Sequence, residues 1–339
     1  METMLQKIVY SVAAALCALA CGGCAGRPEY VAAEGVMLGT TFRISADVRG
    51  LAPQELYAAA MAIDREAKAS MSIFDEGSLL SRLNRNETDS VDAHIAYNLH
   101  LADSIGALSG GAYDVTVKPL VEAWGFAGHD AAERPDVDSL LQFVGREKVR
   151  IEDGRLVKDD PRVQLDFNSV AKGYTVDLLA ALVEKHGAEN YLVDIGGEIR
   201  CKGRNAAGQP WRIGVETPFD GNDSYGRYVH RRVRMTSGGL ATSGNYRRYY
   251  IDADGRKVAH TIDPRTGRSA LSRLLSVTAV ADDCATADAL GTMFLAMGAD
   301  EALARVREMP GAKVYFILAG EGDAYEEYVS PAMEAPMMN

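Results

Sequence analysis

Apolar positions along this chain follow two periods that take turns. From Pro53 to Ser70 the residues Leu56, Ala60, Ile63 and Ala67 recur at helical spacing. Ile95 to Leu108 predicts another helix, ended by Gly110-Gly111, and "MSIFDEGSLLSRLNRN" between them breaks the period, with Gly77 and Ser78 opening a short helical turn. "VMLGTTFRISADV" alternates around Phe42, Ile44 and Ala46 and predicts a strand, preceded from Arg27 to Gly35 by a tether. A weak helix is expected around Ser139 to Val144. "DFNSVAKGYTVDLLAALVEKHG", residues 166 to 187, predicts a helix with Val170, Tyr174, Leu178, Ala181 and Leu182 on one face. Asn168 or Ser169 would cap its start, and Gly187 would supply its left-handed stop. Three hairpins are expected, turning at Asp153-Gly154, Gly196-Gly197 and Asp254-Gly255. "WRIGVETP" places Trp211, Ile213 and Val215 on one side of a strand, and "LLSVTAVA" and "KVYFILAG" read as later strands. Between those two, a helix runs from about Ala285 to Met297, stops at Gly298, and is followed by another capped by Asp300. Hairpins interspersed with helices, without strict β-α-β alternation, give an α+β fold of mainly antiparallel sheets.

Composition changes the picture in one respect. The 339 residues are 47% hydrophobic and 24% charged, which suits a globular chain with a proper core. A net charge of -11 argues against a nucleic-acid partner, whose phosphates call for a basic face. Any phosphate bound here must be held by local cations, helix N-termini or a metal.

The N-terminus carries an address. "METMLQKIVYSVAAALCALACGGCAG" has one lysine, an apolar run from Ile8 to Ala20, and then cysteines. The run is short for a membrane span and fits a signal-peptide core. Small residues before a cysteine suit a bacterial lipoprotein signal, with Cys21 the expected lipidation site and Cys24 the alternative; an uncleaved anchor is the other reading of the segment. The expected organisation is a signal peptide over 1–20, a lipidated tether over 21–35 and one domain over 36–339. Beyond the leader only Cys201 and Cys284 remain, too few and too far apart for a disulfide framework, and both read as buried small hydrophobes.

Four stretches carry candidate chemistry. Lys172 and Gly173 sit in the first turn of a helix, where a lysine opposes the dipole while free N–H groups favour an anion, so the pair is either a phosphate site or a plain surface turn. "CATADALGTMF" puts Asp288 and Thr292 four residues apart, offering two hard oxygen ligands to Mg²⁺ or simply a polar helix face. "GGAYDVTVKPLVEAWGF" sets Asp114 between a double glycine and a proline, as a ligand loop or a turn. "ATSGNYRRYY" and "HTIDPRTGR" flank one hairpin and supply Asn245, Tyr246, Arg247, His260, Asp263, Arg265, Thr266 and Arg268, the arginines being suited to a diphosphate because the guanidinium fork donates twice.

The order of the motifs is more specific than any one of them. "LGTTF", "MSIFDEGSLLSRLN", "GAYDVTVKPLVEAWGF", "DFNSVAKGYTVD", "YLVDIGGEIR", "ATSGNYRRYY", "HTIDPRTGR" and "SVTAVADDCATADALGTMFLAMG" resemble, in this order from about Leu38 to Met297, the ApbE family of FAD:protein FMN transferases. The resemblance implies an enzyme that splits FAD at its pyrophosphate and moves FMN onto a threonine or serine hydroxyl of a target protein, releasing AMP. It implies Mg²⁺ held by the Ala171 carbonyl, Asp288 and Thr292. It implies FAD contacts at Leu38, Phe74, Ala112, Tyr113, Asp114, Asn168 and Tyr174, with His260 and Ile262 nearby. Leu38 stands where the family usually has Met, and Phe74 where it has Tyr, keeping a ring without the hydroxyl. The implied partner is a membrane-associated redox subunit, and the implied location is the periplasmic face of the cell membrane, through the N-terminal lipid.

His260 is the candidate for taking the proton from the acceptor hydroxyl, the alternative being a structural histidine beside a turn. Arg265 and Arg268 would share the diphosphate charge. Two other functions use the same motifs: an FAD pyrophosphatase, in which water replaces the acceptor, and a flavin-binding lipoprotein without turnover.

Overall fold

Eight strands follow one another across a single sheet in chain order, each antiparallel to the last. They are β1 (Val31–Met37), β2 (Thr40–Ala46), β3 (Tyr191–Ile195), β4 (Glu198–Lys202), β5 (Ser237–Gly244), β6 (Leu274–Ala281), β7 (Lys313–Ala319) and β8 (Tyr325–Val329). The structure, a computed structural model, describes residues 29–128, 135–219, 228–246, 248–322 and 324–338. The leader with Cys21 and Cys24, and Arg247, lie outside the described residues. Every strand pair among the described residues is antiparallel, so the α+β expectation holds.

Side chains alternate between two apolar layers, as a pleated strand requires. On β7, Val314, Phe316 and Leu318 join the core under the helices, while Tyr315 and Ile317 face the other cluster. The helical layer contains α1 (Pro53–Met71), α2 (Ala93–Leu108), α3 (Ala171–Lys185) and α4 (Cys284–Arg307). The opposite layer is a three-stranded sheet of Trp211–Glu216, Val229–Met235 and Met337–Met338, with Trp211, Ile213 and Val215 inward as their alternation predicts. Cys201 and Cys284 are free and buried. All three hairpins form; Asp153 and Gly154 both have positive φ, 48° and 75°, as a two-residue type I′ turn demands.

Three expectations are corrected. Residues 31–35, expected in a tether, belong to β1, whose Ala33 and Met37 are buried; β1 and β2 pair around the Leu38-Gly39 turn where one strand was expected. The buried face of α3 is made by Gly173, Val176, Leu179, Ala180 and Val183 together with Tyr174, whereas Ala181 is exposed. This helix packs against α1, α4 and the sheet at once, so small residues close to neighbouring backbone set its orientation more than the large ones do. Neither Asn168 nor Ser169 caps it; the N-cap is Val170, and the first-turn amide of Gly173 is satisfied by a side chain from α4. The stop expected at Gly298 is present: with φ 74° it breaks α4 into two helical pieces, and the amide of Ala299 donates to Ser272 Oγ.

Candidate active site

A cavity of about 360 Å³ opens where the starts of α3 and α4 meet the sheet. Its walls include Lys172 of α3, Glu198 of β4, Thr242 to Gly244 of β5, and Asp288, Thr292, Leu295 and Ala296 of α4. Phe74, the Ala112–Asp114 loop, Phe126, Asp166, Asn168 and the stretch from His260 to Ile262 complete the enclosure. A larger, open hollow of about 500 Å³ beside Leu83, Asn86 and Lys158 holds none of the anticipated residues, and its carboxylates Glu87 and Asp89 are paired with Arg85 and Arg155.

The floor depends on close contact between the two helices. A Cβ at Gly173 would lie 2.5 Å from the Cys284 carbonyl oxygen and 2.8 Å from Asp288 Cβ, so only glycine lets α3 and α4 approach this far. That approach lets the Gly173 N–H donate to Asp288 Oδ2 at 3.0 Å. Asp288 is therefore 5% exposed, within a stretch of α4 buried nearly all round, and not on the polar helix face that its spacing left open. Burial, and then the neighbouring Glu198, raise its carboxyl well above the usual carboxylate range. Thr292 follows one turn later, its Oγ1 3.4 Å from Ser243 Oγ. Lys172 Nζ lies 2.5 Å from Glu198 Oε1. Glu198 is 4% exposed, and its other oxygen has no hydrogen-bond partner.

Among the described residues, Asp114, Asp166, Glu198 and Asp288 thus share one cavity lining with Lys172 and Arg248, four carboxylates against two cations. Burial raises Asp114 and Asp166 as well, partly offset by hydrogen bonds from Thr116 and Asn168. Desolvated acids in excess call for a further cation, and the donors present (carboxylate, hydroxyl) are the hard oxygens that Mg²⁺ prefers. Among the described residues no three His, Cys, Asp or Glu side chains cluster as a metal site, so the set would mix Asp288 and Thr292 with ligand oxygens.

His260 sits half-buried at the foot of the ribbon formed by Tyr249–Ile251 and Lys257–Ala259, its ring edge-on to Phe126. Its Nδ1 is 3.3 Å from the Arg248 carbonyl, which can only accept, so Nδ1 carries the proton and Nε2 the lone pair. Burial, then Arg248 and Lys172, lower its pKa to about 4. Phe74 stands 64% exposed at the rim. Tyr113 Oη pairs with Ser169 Oγ at 2.9 Å, and Asp114 Oδ1 accepts from the N–H and hydroxyl of Thr116.

The match to known proteins covers this whole arrangement. Residues 38–316 fit the family model described as "ApbE family". The Vibrio cholerae FAD:protein FMN transferase is 36% identical over 326 residues, 92% of this chain and 94% of that protein. The Haemophilus influenzae FAD:protein FMN transferase is 33% identical over 329 residues, covering 93% and 94%.

The chain belongs to the ApbE family.

Two solved structures agree. The flavin transferase ApbE from Vibrio cholerae superimposes with a TM-score of 0.78 at 34% identity, over 91% of this chain and 99% of the other. The flavinyl transferase ApbE of Pseudomonas stutzeri gives 0.80 at 29% identity, over 91% and 96%. Since the related family members are named as transferases, this ApbE chain is an enzyme.

Phe74, Ala112, Tyr113, Asp114, Asn168, His260, Ile262, Asp288 and Thr292 all line the cavity, although they span more than two hundred positions of sequence. Of the residues the resemblance implied for FAD and metal, three are not on its wall. Leu38 occupies the β1–β2 turn with φ 47°, its N–H donating to Asp64 Oδ1. Tyr174 turns into the core, stacked on Tyr97 at 4.6 Å and hydrogen-bonded to His94 at 3.0 Å. The Ala171 carbonyl accepts the Thr175 hydroxyl at 2.7 Å. Arg265 is paired with Asp263 and Glu301, and Arg268 is exposed outside the cavity lining; among the described residues Arg248 and Lys172 are the arginine and lysine on that lining. Glu198, Asp166, Thr242 and Ser243 went unassigned because each lies inside a motif whose neighbours look equally polar, and only the fold shows which ones turn inward.

Proposed function

We propose that this ApbE enzyme transfers FMN from FAD to a threonine or serine hydroxyl of a target protein and releases AMP, with Mg²⁺ as its cofactor. One observation carries the reading: Asp288 is a buried carboxylate beside Thr292 in a cavity where, among the described residues, acids outnumber cations. An anionic diphosphate enters such a place only together with an added cation. Asp288 and Thr292 would hold that ion, which when bound neutralises the diphosphate. Phe74 offers an exposed ring against which a flat flavin packs. Lys172 and Arg248 are placed to meet phosphate oxygens.

In the transfer, the acceptor oxygen forms a bond to the FMN phosphorus, the bridging P–O bond breaks, and AMP leaves. The acceptor proton goes to Nε2 of His260, which is neutral at pH 7 and aligned through Nδ1 by the Arg248 carbonyl. The leader supports lipidation at Cys21 and a site of action at the periplasmic face of the membrane, and the family resemblance implies a membrane-associated redox subunit as the acceptor. Among the described residues no helix is long and apolar enough to cross a membrane.

The test is incubation of the enzyme with FAD, Mg²⁺ and a candidate acceptor domain, followed by a denaturing gel. Flavin fluorescence on the acceptor band, lost when a chelator is added, is expected. Free FMN and AMP with a dark acceptor band would identify the hydrolase instead.

A further inference from the structure

Helices α3 and α4 exchange carboxylates across their first turns. Asp288 of α4 accepts the Gly173 N–H of α3 at 3.0 Å. One turn along α3, Asp177 accepts the amides that open α4: Cys284 N–H at 3.0 Å on Oδ1 and Ala285 N–H at 2.8 Å on Oδ2. Each carboxylate stands four residues beyond the amides its own helix gives away, Gly173 to Asp177 and Cys284 to Asp288. A second contact closes the circuit through the sheet. Arg200 Nη1 donates to Asp177 Oδ1 at 2.8 Å, and Arg200 lies two residues along β4 from Glu198, which holds Lys172, the neighbour of Gly173.

We propose that Asp177 is a positioning residue for the cation site: by capping the first turn of α4 it fixes where Asp288 emerges on the cavity wall. This rests on the reading that Asp288 binds a divalent cation. The physical case is one of redundancy. Asp283 is already the N-cap of α4, accepting the Thr286 N–H, so the helix has its own start signal. The Asp177 bonds add a tie between two helices, and with it the axial and rotational setting of α4. Gly173 permits the approach, and Asp177 holds it. Groups that orient a metal ligand from behind typically alter cation affinity ten- to a hundredfold.

The test uses the full-length protein, Mn²⁺ as the probe, and electron paramagnetic resonance to measure its binding in the absence of FAD. Asp177→Asn keeps the volume but gives up one amide acceptor and the ion pair. Its Mn²⁺ dissociation constant should rise about tenfold or more, well below the melting temperature, where the variant is folded. A role confined to stability would lower the melting temperature and leave the affinity of the folded protein unchanged, so unchanged affinity overturns the proposal. If wild type itself binds no Mn²⁺, the cation reading fails and the positioning role falls with it. Should Asp177→Asn not melt cooperatively, Asp177→Glu decides, since it keeps the charge and both acceptor oxygens but lengthens the reach to the Cys284 and Ala285 amides: weaker Mn²⁺ binding supports the proposal, and wild-type affinity refutes it.

Discussion

Replacing His260 by alanine tests the proton transfer, and the size and pH dependence of the effect follow from the imidazole's surroundings. Its pKa falls from the ordinary 6.5 to about 4, first through burial and then through Arg248 and Lys172. At ~1.4 kcal/mol per pH unit, that gap of 2.5 makes the imidazolium about 3 kcal/mol costlier here than in water. At pH 7 the residue is thus a neutral base, with neutral and charged forms in a ratio on the order of a thousand to one. A bound diphosphate brings negative charge to the same two cations and relieves that penalty as the proton arrives. Two consequences can be measured. At saturating Mg²⁺, which would hold the raised Asp288 carboxyl ionised, the profile of kcat/KM for FAD should be flat from pH 6 to 8 and turn down only on approaching pH 4, while the acid limb of kcat should lie higher. His260→Ala should lose acceptor flavinylation by about a hundredfold or more, while slow release of AMP to water falls much less. The assay pairs in-gel flavin fluorescence with chromatography of AMP at saturating FAD. An acid limb of kcat/KM at 6.5 or above, or equal losses in both products, would refute the reasoning. Equal losses would make His260 a residue that places FAD.

Four further outcomes are expected. Phe74→Ala should weaken FAD binding by roughly threefold to tenfold in a fluorescence titration, the value of about 0.5–1.5 kcal/mol for an aromatic pair, with no change in melting temperature because the ring is exposed. Asp288→Ala should abolish transfer in chelator-treated buffer restored with Mg²⁺ while melting cooperatively, since it also removes a desolvated charge next to Glu198; full activity would exclude it as a ligand. Gly173→Ala should cost about 1–3 kcal/mol in urea unfolding, because its Cβ meets the backbone of α4, which has little room to yield. Cys21→Ala should shift the protein from the membrane fraction to a soluble or unprocessed form, and unchanged fractionation with lipidated protein would point to Cys24 or to an uncleaved anchor.

Much of the fold was legible because its signals are local. Asp153-Gly154, Gly196-Gly197 and Asp254-Gly255 mark hairpins by turn chemistry alone, and the apolar periods of α1 and α2 need no tertiary help. The face of α3 was not legible in that way: its buried sector is chosen by Gly173 against the Cys284 carbonyl, a contact between residues more than a hundred positions apart. The first turn of that helix shows the same limit. A side-chain cap from Asn168 or Ser169 was the local solution, and Asp288 supplies the non-local one. Motif order brought most of the cavity wall within reach, but order carries no direction. Tyr174 therefore looked like a ligand contact and packs on Tyr97, while Arg265 looked free and is held by Asp263 and Glu301. Burial of Asp288 and the unpartnered oxygen of Glu198 are likewise properties of the assembled layers.

The central claim is that this cavity passes FMN to a protein hydroxyl and not to water. Intact-mass spectrometry of an acceptor domain, run beside AMP quantification after incubation with enzyme, FAD and Mg²⁺, addresses it most directly. The expected result is one FMN phosphoryl group on a threonine or serine of the acceptor for each AMP released, with both products absent when the cation is chelated. An unmodified acceptor alongside equal amounts of free FMN and AMP would contradict it, as would FAD left intact.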